Sequence, residues 1–91
     1  KCSFPQLKWL YLYYTSITDN GIEHLIKCDF KQLKDLVLLE NNLTKTTIEH
    51  LIKSNFNQLQ SLYICESIVT DIEKAKLKEK FPKCYFSYNI N

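Results

Sequence analysis

The chain has 91 residues, 45% hydrophobic and 13% aromatic with one glycine and two prolines, which suits one folded domain and excludes collagen-like and low-complexity disordered classes. Twelve basic and ten acidic residues leave a formal charge of +2, and the lysines are scattered instead of blocked, so no nucleic-acid partner is expected. No apolar run reaches the roughly 18 residues of a membrane helix and no signal-peptide pattern opens the chain, so no membrane partner is expected either.

The chain contains no Met and opens in mid-pattern at Lys1-Cys2-Ser3-Phe4, which reads as a fragment or a processed product whose N-terminal cap or earlier repeats are missing. An offset of 26 then brings Phe4, Phe30 and Phe56 into register, and after them Gln6, Gln32 and Gln58. The template Leu-x-x-Leu-x-Leu-x-x-Asn-x-Leu follows three times. Its first copy is Leu7, Leu10, Leu12, Thr15 and Ile17; its second is Leu33, Leu36, Leu38, Asn41 and Leu43; its third is Leu59, Leu62, Ile64, Ser67 and Val69. Only 24 of the 91 residues are Leu, Ile or Val, yet all twelve apolar slots are aliphatic, so chance does not account for the period.

Within each copy the Leu-x-Leu alternation predicts a strand with one buried face. Ile22, Leu25 and Ile26, and again Ile48, Leu51 and Ile52, have the spacing of a helix with one apolar stripe. Capping boxes are expected at Asn20 with Glu23, Thr46 with Glu49 and Thr70 with Glu73, the third falling two residues early. A shortened fourth copy is expected at Phe81, Cys84, Phe86 and Asn89, after a spacing of 22. The position-nine residues Thr15, Asn41, Ser67 and Asn89 are expected to satisfy backbone groups where each strand ends, and the three phenylalanines to stack.

One such unit cannot bury its own apolar side, so the units must stack. The expected fold is an α/β solenoid with a parallel concave sheet of about four strands and three convex helices. Its single domain spans 1–91, divided as about 7–32, 33–58, 59–80 and a closing strand at 81–91.

The run Ile17-Thr18-Asp19-Asn20-Gly21-Ile22-Glu23-His24-Leu25-Ile26-Lys27-Cys28 resembles the cysteine-containing subfamily of leucine-rich repeats, whose units read I-T-D-x-G-L-x-x-L-x-x-C. The resemblance covers Cys2 to Asn89, with Lys45 and Thr47 replacing Asp19 and Gly21 in the second unit. It implies an F-box-like, protein-binding repeat array, with substrate recognition for a ubiquitin ligase as its most specific form. No F-box segment is present in these residues, so that link is analogy.

Strand residues between the leucines are expected to point out of the concave face. They form ladders of Trp9, Asp35, Ser61 and Lys83; of Tyr11, Val37, Tyr63 and Tyr85; of Tyr13, Leu39, Cys65 and Ser87; and of Tyr14, Glu40, Glu66 and Tyr88. An exposed apolar patch rich in Tyr and Trp marks a contact surface for another protein. The expected centre is Tyr11, Tyr13, Val37, Leu39 and Tyr63, with Glu40 and Glu66 as an acidic rim.

Chemistry has little support in the sequence. His24 and His50 lie one period apart on neighbouring helices, too far apart to share a zinc ion, and no H-E-x-x-H motif is present. Cys2, Cys28, Cys65 and Cys84 lack C-x-x-C spacing, so three read as small buried hydrophobes and Cys65 as an accessible thiol on the concave face. No enzyme activity, metal or cofactor is therefore expected. Free thiols favour an intracellular, cytoplasmic location, against which stands the sequon Asn42-Leu43-Thr44. The uncapped first strand is expected to self-associate. Two other readings stay open: a scaffold subunit of a large assembly, and a non-catalytic segment of an enzyme whose catalytic domain lies outside this chain.

Overall fold

A computed structural model describes residues 3–12, 16–39 and 42–89, with Asn89 through its backbone alone. The chain folds as α/β: β1 (Trp9–Tyr11), α1 (Asp19–Leu25), β2 (Asp35–Val37), α2 (Lys45–Ile52), β3 (Ser61–Cys65), a short 3-10 turn (Glu66–Ile68), α3 (Asp71–Lys80) and β4 (Tyr85–Asn89). The strands form one parallel sheet in the order β1-β2-β3-β4. Trp9 pairs with Asp35 and Asp35 with Ser61, so the first three strands are displaced by the same 26 residues that separate the leucines.

Strand alternation gives the sheet two unlike faces. Leu36, Leu62 and Ile64 are fully buried in one core with Ile22, Ile48, Leu51 and Leu77 from the three helices, which sets the helices against that face. Leu7, Leu10, Leu12 and Ile17 pack against the same core but are only partly buried, because β1 has a neighbour on one side alone. The phenylalanines form the expected second stack. Phe4 lies parallel to Phe30 at 5.3 Å, and Phe30 meets Phe56 edge-on at 5.7 Å.

The helix starts correct the expected caps. The three N-caps are Thr18, Thr44 and Thr70, one repeat position 26 residues apart, so the third cap is not early. At Thr70 the box with Glu73 is complete. At Thr44 the hydroxyl accepts from the Thr46 amide at 3.2 Å, while Asp19 from α1 supplies the acceptors a local carboxylate would. The Thr44 amide donates to Asp19 Oδ1 at 3.0 Å, the Thr44 hydroxyl to Oδ2 at 2.5 Å, and the buried Thr47 hydroxyl to Oδ1 at 2.5 Å. Burial works to raise the Asp19 carboxyl, but the Thr44 and Thr47 hydrogen bonds and the charge of His50 outweigh it and hold it below the ordinary carboxylate range. A Cβ at Gly21 would lie 2.7 Å from Ile17 Cγ1, so a larger residue there would require the Ile17 side chain to shift.

The fourth strand also departs from its expected register. Ser61 pairs with Tyr85, Leu62 with Phe86 and Ile64 with Tyr88, an offset of 24 instead of 22. The turn before the strand, displaced by 25, together with one residue fewer between turn and strand, explains this. The Leu7 amide donates to Phe4 O at 3.2 Å, Leu59 to Phe56 O at 3.2 Å, and Cys84 to Phe81 O at 3.1 Å. Phe81 therefore takes the place of Phe56, and Cys84 that of Leu59. Both are buried, but in the turn that enters the strand and not in the strand itself.

The cysteines differ from expectation as well. Cys28 is disulfide-bonded, whereas Cys65 and Cys84 are free and buried; Cys2 lies outside the described residues. Cys28 is only partly buried, and Ser3 pairs in parallel with Asp29, so the segment leading to Phe30 runs beside another stretch of backbone. The premise of free thiols throughout, and with it the argument for a reducing compartment, does not hold. No helix among the described residues is long and apolar enough to cross a membrane.

Candidate interaction face

The site lies on the sheet face turned away from the helices. Short strands with odd-numbered residues outward bring Trp9, Tyr11, Asp35, Val37, Ser61 and Tyr63 onto three adjacent strands. Trp9, Tyr11 and Tyr85 are 61%, 65% and 62% exposed. Such exposure leaves large apolar rings in water without the burial that stabilises the other face. Asp35, Val37 and Tyr63 are partly buried. Between them runs a groove of about 420 Å³, lined by Tyr11, Asp35, Val37, Leu39, Ser61 and Tyr63. Among the described residues its one charged group is Asp35, whose carboxylate accepts a hydrogen bond from the Ser61 hydroxyl on the next strand.

Three expected site residues occupy other settings. Leu39 is 7% exposed and Cys65 8% exposed. Alternation fails at both because Leu39 lies beyond the end of β2 and Cys65 is the last residue of β3, where the chain bends into the 3-10 turn. Leu39 still contributes to the groove floor, but Cys65 is not an accessible thiol. Glu66 is no free acidic rim: Lys74 of α3 pairs with it at 3.0 Å and also lies 4.6 Å from the Tyr88 ring centroid. Tyr13, Tyr14 and Glu40 lie outside the described residues.

Tyr85 reaches the open face by a different route from the one expected. It stands on the rung of Ser61 and not of Tyr63, yet its ring meets Tyr63 edge-on at 6.1 Å. Tyr88 alternates inward with Phe86, the two rings lying nearly parallel at 6.1 Å. Burial raises the Tyr88 hydroxyl above its ordinary value, helped by interaction with Cys84 and the Glu66 carboxylate. Lys83 lies in the turn before β4 rather than on a ladder. Ser67 is exposed in the 3-10 turn, so it does not serve a buried amide.

No family model, curated protein or solved structure matches the chain. The open face is thus read from its own chemistry. Among the described residues no group of three or more His, Cys, Asp or Glu side chains could hold a metal ion. Burial, with a contribution from the Asp35 charge, pushes the Cys84 thiol up to about 11. That is the opposite of what a nucleophilic cysteine requires. Apolar walls, aromatic rims and one carboxylate suit binding.

Proposed function

We propose that the chain is a protein-interaction module that holds a segment of a partner protein against its open sheet face. The observation that carries this reading is the groove between Tyr11 and Tyr63, floored by Val37 and Leu39 and bordered by the exposed rings of Trp9 and Tyr85. Rigid aromatic side chains bury large areas at low entropic cost and dominate interface energetics. We further propose that the architecture is a leucine-rich-repeat solenoid of the cysteine-containing type with this face as its concave side. The 26-residue displacement of paired strands and of threonine caps supports it. A role in presenting substrates to a ubiquitin ligase is carried by the resemblance alone.

The test is a Tyr11→Ala/Tyr63→Ala double variant, checked for native secondary structure by circular dichroism and compared with wild type in quantitative capture of native partners. Capture is expected to fall at least about tenfold, since even one hot-spot truncation costs about 2 kcal/mol. Undiminished capture by a folded variant contradicts the reading.

A further inference from the structure

We propose that the groove receives a single cationic side chain, lysine or arginine, of the bound partner; this rests on the open face being the binding surface and names the chemistry it selects. The groove joins two features that such a side chain requires. Its floor and walls, Val37, Leu39, Tyr11 and Tyr63, offer apolar contact to an aliphatic stem. Its polar end holds one carboxylate, Asp35, which no cation pairs with among the described residues.

The Ser61 hydroxyl donates to one oxygen of that carboxylate, which fixes its orientation while leaving acceptor capacity, because each carboxylate oxygen can accept more than once. A cation placed there gains a charge-assisted hydrogen bond. An acidic side chain in the same place would face Asp35 across apolar surface and is rejected. An uncharged apolar side chain would satisfy the walls and leave the carboxylate desolvated without compensation.

The probes are four capped tripeptides, Gly-X-Gly, with X lysine, arginine, norleucine or glutamate, titrated into the isotope-labelled full chain and followed by NMR. Norleucine keeps the aliphatic stem of lysine and removes its charge. The lysine and arginine peptides are expected to shift resonances of Tyr11, Val37, Leu39 and Tyr63, and to bind about tenfold more tightly than norleucine. Asp35→Asn, which keeps an acceptor for Ser61, is expected to erase that advantage, so that lysine, arginine and norleucine bind about equally. Norleucine binding as tightly as lysine at the same resonances overturns the cationic assignment while the open-face reading stands. A preference for glutamate, or no peptide shifting these resonances, overturns it as well; the tyrosine double variant then judges the open face separately.

Discussion

Replacing Leu62 with alanine is expected to destabilise the protein by about 3 kcal/mol, within the range for large-to-small changes in a packed core. Leu62 is 0% exposed and lies in β3 between Leu36 and Phe86, its partners on the two neighbouring strands. Its removal leaves a cavity that two paired strands hold open, so little of the loss is recovered by collapse. A domain of this size has about 5–13 kcal/mol of total stability, so the loss is a large fraction of the whole. Urea unfolding should show a lower midpoint at unchanged slope. Ile72→Ala, at a residue 70% exposed on α3, should shift stability by less than about 0.5 kcal/mol. Equal effects from the two variants contradict the assignment of the core face.

The second large effect is expected at Asp19, where alanine should cost about 2 kcal/mol. Its carboxylate accepts from the Thr44 amide, the Thr44 hydroxyl and the Thr47 hydroxyl. Thr47 is 0% exposed, so without Asp19 its hydroxyl is left buried and unpaired, the costly case. The effect depends on pH. The folded carboxyl is held below its ordinary value, so its stabilising contribution is present above the unfolded-state value and is lost as pH falls through the lower folded one, below about pH 4. Urea midpoints of wild type and Asp19→Ala should therefore differ most near neutrality and converge in strong acid. A gap that stays constant down to pH ~2 contradicts the role given to the charge.

The Asp19 clasp also shows why part of the fold was legible in the sequence and part was not. The strand register and the helix stripes follow from apolar spacing within one unit, and the 26-residue period makes each local signal repeat. The caps defeated the same logic. Asn20 with Glu23 and Thr46 with Glu49 match a local capping signature, but Thr18 and Thr44 are the actual caps. The residues three places beyond them are Gly21 and Thr47, neither a carboxylate. The acceptor for the second helix comes from the preceding one, across 25 and 28 residues, a distance no local motif spans. Among the described helices only the third carries the full box, Thr70 with Glu73, so only there did the local signature identify the cap.

At the open face the sequence was legible as far as the strands last. Trp9, Tyr11, Val37 and Tyr63 lie where alternation puts them, because they are within or at the ends of three-residue pairings. Leu39 and Cys65 fall where the extended backbone ends, and period-two reasoning fails at that point. In the fourth strand, Phe81 and Cys84 fit two apolar alignments equally well as residue types. The turn hydrogen bond from Cys84 to Phe81 decides between them, and hydrogen bonds are not visible in composition. The groove carboxylate was legible as an outward residue, but its setting was not: the Ser61 hydroxyl that orients Asp35 and the side chains that enclose it come from separate strands.

Partner binding at the open face is checked by photo-crosslinking in the native source. A benzophenone amino acid is placed in separate variants at Trp9, at Tyr85 and at Ile72, positions of similar high exposure at 61%, 62% and 70%. The first two lie on the open face and the third on α3. A common protein adduct is expected from positions 9 and 85 and is expected to be absent or weak from position 72. An adduct that forms from position 72 and from neither open-face position contradicts binding at that face.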